Sequence, residues 1–261
     1  MSNLPDSIAA PPLRVTSKRN HHLGDFRSPV LLGKWPLIGL LLVLFGSGLF
    51  LVLSISLQTH APIMQTDQQI SNSIHALALQ SSPLMVDIMI FGFYLGEHVI
   101  IGIGFVLVVY FLYKRFWPEL AMIVIAWGGE GGIWLLLAQH FNRTRPHFDK
   151  SVWHLITAPG YPSGHSFAAL MCFGLLAYFL VPKIPSRQLK VAVIAITILL
   201  VLYVGFSRIF LGDHYPTDVL AGYSLGIAWS ALVYTSVEVL AQRTHKRKAK
   251  SFNPPEVVAK I

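Results

Sequence analysis

Six apolar runs, each near the length of a transmembrane helix, constrain the fold of this chain more than any other feature. A helix needs about 20 apolar residues to cross the hydrocarbon core of a bilayer. The runs cover residues 36–57, 88–113, 119–141, 163–181, 191–206 and 219–240. No soluble domain separates them, and only the fifth is short. The sequence therefore predicts an all-α integral membrane protein with six transmembrane helices.

The composition agrees with this interpretation. Charged residues make up only 12% of the 261 residues, whereas soluble domains average about 25%. We expect three parts: a polar cytoplasmic tail over residues 1–33, a transmembrane domain over 34–241, and a basic cytoplasmic tail over 242–261. The single cysteine, Cys172, excludes an internal disulfide.

The distribution of basic residues predicts the orientation. The net charge is +8, and nearly all Lys and Arg residues fall on one side of the six runs, together with both tails. Basic residues favour the cytoplasmic side, so both termini are expected there, and no nucleic-acid partner is needed to explain the charge. Four basic residues lie in the outward loops 142–162 and 207–218 instead: Arg143, Arg145, Lys150 and Arg208. An anionic ligand at the outer face is the simplest reason.

The first outward cluster is "RTRPHF", at the end of the third run. The planar guanidinium groups of Arg143 and Arg145 suit phosphate oxygens. For Arg143, an equally good interpretation is that the side chain extends toward lipid headgroups.

The second cluster is "YPSGHSF", directly before the fourth run. Ser163 is a natural N-cap, Gly164 allows close approach of the backbone to a ligand, and a helix N-terminus favours an anion. His165 can exchange a proton near neutral pH. The alternative is a helix cap beside a surface histidine.

The third cluster is "GFSRIFLGDHYPTD", between the fifth and sixth runs. Arg208 is expected just after the fifth helix. His214 and Asp218 are four residues apart, so they share one face if a helix begins here, and the carboxylate would then orient the imidazole. Asp213 is expected to be solvated or to cap the loop. The nearby arginines favour an anion over a metal, and we predict no metal site.

The three clusters together resemble the type 2 phosphatidic acid phosphatase (PAP2) family, which has a six-helix layout. The resemblance implies that His214 attacks phosphorus, that Asp218 orients His214, and that His165 protonates the leaving oxygen and then activates water. It also implies that the phosphoryl oxygens are held by Arg145, Arg208, Ser163 and Gly164, without a metal or cofactor.

One position departs from the family pattern. Ala138 stands where the family has a lysine, seven residues before Arg145. Arg143, Lys150 or His140 are the candidates to replace that cation. The alternatives are slower turnover, a different anion, or loss of catalysis.

Two further groups have no assigned role in this pattern. Glu97, His98 and Glu130 lie within apolar runs, where carboxylates rarely face lipid. The alternatives are a proton path, a hydrogen-bonded pair at a helix interface, or carboxyl groups that are protonated and neutral. The outer segment 58–87 carries His60, Asp67, His75 and Asp87 but no motif.

The sequence predicts a lipid phosphatase of a bacterial inner membrane with its site facing outward. Polyprenyl pyrophosphate, phosphatidic acid, phosphatidylglycerol phosphate and a lipid A phosphate all fit as substrates. A lipid phosphotransferase and a non-catalytic lipid-binding or lipid-translocating protein are the alternatives. The oligomeric state stays open.

Overall fold

The computed structural model describes residues 31–153 and 158–252, with side chains described up to residue 244. Most of the two predicted tails lies outside these residues. The described part contains helices and no strands. The α-helices are α1 (Pro36–Gln58), α2 (Ile63–Gln80), α3 (Pro83–Tyr94), α4 (Ile100–Lys114), α5 (Trp117–Phe141), α6 (Gly164–Leu180), α7 (Arg187–Phe210) and α8 (Pro216–Phe252).

Six of the described helical segments are long and apolar enough to cross a bilayer, as predicted. The second of these segments joins α3 and α4 through a π-helical turn, Leu95–Val99, into a continuous stretch of 32 residues. At about 1.5 Å per residue this stretch is longer than the hydrocarbon core is thick. The π turn lies near the middle of this stretch, and its Gly96 packs against His165 in the second motif.

The boundaries differ from the prediction in two places that matter for the site. The fifth helix, predicted over 191–206, extends to Phe210, so Arg208 lies inside its last turn. The prediction that Arg208 follows the helix is wrong, because protein atoms surround this arginine and its charge does not have to reach water. The outer segment 58–87, in which the sequence shows no motif, contains the helix α2.

Helix α8 lies at the centre of the bundle and packs against α1, α5 and α6. The largest core cluster joins α4, α5, α6 and α8 near the end opposite the motifs, and it includes Phe111, Met122, Met171, Phe179 and Tyr234. The starts of α6 and α8 are also joined directly, because the backbone N–H of Ser163 donates to the carbonyl oxygen of Asp218 over 3.0 Å. This contact brings the second and third motifs together.

Candidate active site

His214 lies at the centre of the site, between α7 and α8, and only 2% of its surface is exposed. Its Nδ1 atom is 2.7 Å from the carbonyl oxygen of Gly160, and its Nε2 atom is 3.1 Å from Nη1 of Arg145. A carbonyl only accepts and a guanidinium only donates. The neutral ring therefore carries its proton on Nδ1 and keeps its lone pair on Nε2.

The electrostatic environment favours this neutral form. Burial, with the positive charges of Arg145 and Arg208, lowers the pKa of His214 well below its ordinary value of 6.5. The hydrogen bond to Gly160 opposes this shift without reversing it. The ring is thus an unprotonated nitrogen base at neutral pH.

Asp218 differs from the expected orienting partner. Its Oδ2 atom lies 3.5 Å from Nδ1 of His214, farther than the carbonyl oxygen of Gly160. The carboxylate accepts shorter hydrogen bonds from Arg143, at 2.5 Å, and from the backbone N–H of Tyr215, at 2.9 Å. The hydrogen bond that His214 was predicted to donate to Asp218 is instead accepted by the backbone carbonyl of Gly160. Asp218 adds a negative charge beside the ring.

Arg145 is held in place by carbonyl groups from both sides of the site. Its Nε donates to Ala158 over 2.7 Å, and its Nη1 donates to the carbonyl oxygen of Asp213 over 2.8 Å. These bonds fix the plane of the guanidinium against His214. Burial lowers the pKa of Arg145, although the charges of Asp213 and Asp218 oppose the shift; the group stays a cation at neutral pH.

Arg208 is completely buried. Its Nη2 lies 2.7 Å from Oδ2 of Asp213, and its guanidinium lies over the ring of Phe93, 4.5 Å from the centroid. The ion pair is close, but none of the three guanidinium nitrogens makes an aligned hydrogen bond with the described residues. The prediction that Asp213 is solvated or caps the loop is wrong, since it is buried and pairs with this cation.

Arg143 does not point to a free anion. Its Nη1 donates to Asp218 and Thr217, and its Nη2 donates to Asp67 over 2.8 Å. Burial alone would lower the pKa of Arg143, but the charges of Asp218 and Asp67 raise it above its ordinary value. Two carboxylates occupy the guanidinium of Arg143, which is therefore turned into the protein and not toward lipid headgroups; a role in phosphate binding stays a prediction.

Asp67 is a site residue that the sequence analysis missed. It lies on α2 and is 2% exposed. It accepts from Arg143 and from the backbone N–H and the hydroxyl of Thr217, at the start of α8. A lone aspartate in a polar segment gives no motif, so only the packing of α2 over the site reveals this role.

The second motif begins α6 as predicted. Ser163 is the N-cap: its Oγ accepts from the backbone N–H of Ser166 at 3.4 Å and from the Ser166 hydroxyl at 3.0 Å. A Cβ on Gly164 would lie about 3.0 Å from the indole of Trp134, so this glycine makes room for that ring. His165 is one-fifth exposed, and its Nε2 lies 3.5 Å from Oε2 of Glu97 in the π turn.

Comparison with known proteins identifies the family of this chain. Residues 123–241 match the PAP2 superfamily. The chain is 34% identical over 193 residues to phosphatidylglycerophosphatase B of Bacillus subtilis, an alignment covering 70% of this chain and 89% of that protein. The chain belongs to the PAP2 superfamily.

Two further matches, one in sequence and one in structure, extend the comparison. The lipid A 1-phosphatase of Rhizobium johnstonii is 35% identical over 100 residues, which is 38% of this chain and 39% of that protein. The crystal structure of a transmembrane PAP2-type phosphatidylglycerolphosphate phosphatase from Bacillus subtilis superposes with a TM-score of 0.58 at 28% identity. That superposition covers 80% of this chain and all of the other. This chain is an integral membrane lipid phosphatase with the PAP2 fold.

Another feature of the site is the position at which the PAP2 family has a lysine and this chain has Ala138. Ala138 is buried near the end of α5. Of the proposed replacements, Arg143 is engaged by carboxylates, whereas Lys150 and His140 are exposed. Within the two described ranges, no three His, Cys, Asp or Glu side chains are grouped closely enough to hold a metal ion. Independence from metal stays a prediction.

Proposed function

We propose that this lipid phosphatase transfers the phosphoryl group of its substrate to Nε2 of His214 and from there to water. The tautomer of His214 carries the proposal: Gly160 holds the Nδ1 proton, so the Nε2 lone pair faces the guanidinium of Arg145. A nucleophile beside a fixed cation is what attack on a phosphate ester requires. A bound phosphoryl group would take over the contact that Arg145 now makes with His214.

The other residues have roles set by their position. Arg208, buried without aligned hydrogen bonds in the described structure, has donors for phosphoryl oxygens. Ser163 and the N–H of Gly164 lie at the N-terminus of α6, where an anion is favoured. His165 protonates the leaving oxygen and then takes a proton from the attacking water. Arg143 holds Asp218 beside His214.

We infer that the substrate is a phospholipid phosphomonoester, with phosphatidylglycerol phosphate as the first choice. The similar protein and the similar solved structure from Bacillus subtilis are both named for hydrolysis of that lipid. The site lies where transmembrane helices end, so a headgroup reaches it while the acyl chains stay in the bilayer. The excess of basic residues at the other end favours a site on the outer leaflet.

Phosphate release by the purified protein in detergent tests the activity. The panel contains phosphatidylglycerol phosphate, phosphatidic acid, polyprenyl pyrophosphate and lipid A 1-phosphate. His214→Ala should abolish release, and His60→Asn, at an exposed histidine with positive φ, is the matched control. Full activity in His214→Ala would overturn the mechanism. Hydrolysis of a lipid phosphate added to the outside of spheroplasts tests the orientation.

A rapid-quench experiment with ³²P-labelled substrate tests the covalent intermediate. Phosphohistidine survives alkali and is lost in acid, so alkali-stable label should appear on the protein and be absent from His214→Ala. Label that leaves as free phosphate supports hydrolysis. Label that appears only on a second lipid would show a phosphotransferase.

A further inference from the structure

Glu97 approaches the proposed acid–base histidine from the π turn of the second transmembrane segment. Its Oε2 lies 3.5 Å from Nε2 of His165, and within the described structure this nitrogen makes no aligned hydrogen bond to another group. π turns inside α-helices are rare and are frequent at functional sites. Here the turn changes the helical register at Leu95–Val99, the five residues that include Glu97.

Gly96, the residue before Glu97, allows the side chains of Glu97 and His165 to approach each other closely. Gly96 packs against α6 and α7, and a Cβ added to it would lie 3.3 Å from Cδ2 of His165 and 2.6 Å from Cγ1 of Val204. The Cδ2–Nε2 edge of the imidazole therefore faces the π turn. The Nδ1 edge faces away from it.

The charges around His165 explain why a carboxylate belongs here. The neighbouring charged or titratable groups are Arg208 on α7, Arg145 in the loop after α5, His214 before α8, and His98 in the π turn. Both arginines repel a proton on the ring, although the first half-reaction needs that proton for the leaving oxygen. Glu97 is the one carboxylate at ion-pair distance from this ring among the described residues.

We propose that Glu97 is a positioning residue for His165, accepting a hydrogen bond from Nε2–H and leaving Nδ1 to exchange the proton. The inference rests on the proposed function of His165. In the first step Nε2 of His214 bonds to phosphorus and the P–O bond to the lipid breaks, while the Nδ1 proton of His165 moves to the leaving oxygen, which departs as an alcohol. The His165 ring is then neutral with its proton on Nε2. In the second step Nδ1 takes a proton from water as the water oxygen bonds to phosphorus and the P–N bond to His214 breaks.

This arrangement keeps one tautomer through both steps. Without the carboxylate, the neutral ring can place its proton on Nδ1, and it is then unable to accept a proton there from water. Glutamine at position 97 keeps the size of the side chain but removes its charge, and its NH₂ group can stabilise the wrong tautomer.

The test compares Glu97→Gln with Glu130→Gln, which removes a carboxylate from the same 240 Å³ cavity beside His165. We measure kcat/KM from pH 5 to 9 for a lipid alkyl phosphate and for the phosphate ester of an alkyl-substituted 4-nitrophenol. The second leaving group departs without a proton. Glu97→Gln should lower kcat/KM for the alkyl ester by about 10²-fold, within the range of general acid catalysis, and by less than about 3-fold for the aryl ester. Glu130→Gln should leave both values within about 3-fold.

The pH profile gives a second readout that a purely structural role would not change. With Glu97→Gln, the alkaline limb for the alkyl ester should move to lower pH, because the protonated ring has lost its negative partner. Equal losses on both esters, an unmoved alkaline limb, or equal effects of the two glutamine variants would overturn the inference. If the wild-type protein releases no phosphate, or His165→Ala keeps full activity on the alkyl ester, the proposed function itself fails.

Discussion

The carbonyl oxygen of Gly160 lies 2.7 Å from Nδ1 of His214. A backbone group in the loop before α6 therefore selects the tautomer of the proposed nucleophile, and the carboxylate of Asp218 stays at 3.5 Å. A backbone carbonyl cannot be removed by a side-chain substitution. The carbonyl of Gly160 therefore orients the ring, whereas the carboxylate of Asp218 adds charge beside it.

Asp218→Asn should reduce activity less than His214→Ala does. The tautomer is retained through Gly160, but the negative charge that stabilises a phosphorylated, positively charged ring is lost. We expect kcat to fall by about 10- to 100-fold, equivalent to about 1.4–2.8 kcal/mol. Single-turnover measurements of phosphate release check this value. A loss as complete as that of His214→Ala would mean that Asp218 orients the ring after all.

Asp67→Asn should lower the free energy of unfolding and activity together. Asp67 is buried and accepts from Arg143 and Thr217, so the substitution removes the charge from one of two carboxylates that hold a buried cation. The expected cost is about 1–3 kcal/mol. Thermal unfolding in detergent measures it, with Asp87→Asn at an exposed position as the control. Equal melting temperatures for the two variants would contradict a structural role for Asp67.

The acid limb of the pH profile of kcat/KM should move along the pH axis when Arg145 is replaced. Because burial and the two arginines lower the pKa of His214, the nucleophile should stay unprotonated well below pH 6.5. Arg145→Gln removes a charge that repels the proton, so the limb due to His214 should move to higher pH while the rate falls. Titration of the substrate phosphate is common to both proteins and cancels in the comparison. A limb that stays in place would show that Arg145 does not act on His214.

The same shift in pKa predicts the pH dependence of stability. The folded protein binds a proton at His214 only well below pH 6.5, whereas the unfolded chain binds it near 6.5. Stability from this group is therefore present above about pH 6.5 and decreases as the pH falls toward the folded-state pKa. Acid unfolding curves of the wild type and His214→Ala measure this contribution. Identical curves would contradict it.

Arg208→Lys should impair catalysis strongly although it keeps the positive charge. The planar guanidinium lies over the ring of Phe93 and beside Asp213, and a lysine ammonium is not planar and cannot reproduce these contacts. We expect kcat/KM to fall by about 10²-fold or more, or about 2.8 kcal/mol. Arg187→Lys, at the exposed start of α7, is the control. Similar kinetics in the two variants would exclude Arg208 from phosphate binding.

The sequence by itself determined the class of fold and the family of the chain. Hydrophobic runs of transmembrane length leave the backbone no alternative to helices in a bilayer, which is why the six spans were predictable. The motif residues have side-chain types suited to phosphoryl transfer whatever their exact placement. Ser163 as an N-cap was predictable for a related reason, because a cap depends on the three residues that follow it.

Only the tertiary structure decided which charges meet. Arg143 and Arg145 are two residues apart, but one pairs with Asp67 and Asp218 while the other faces His214. Asp213 turns inward because α7 continues to Phe210 and leaves Arg208 buried beside it. Glu97 reaches His165 through a π turn that no hydrophobic pattern indicates. Apart from Asp213, which follows Arg208 closely in sequence, these partners come from distant parts of the chain, so their identity depends on helix packing and not on local sequence.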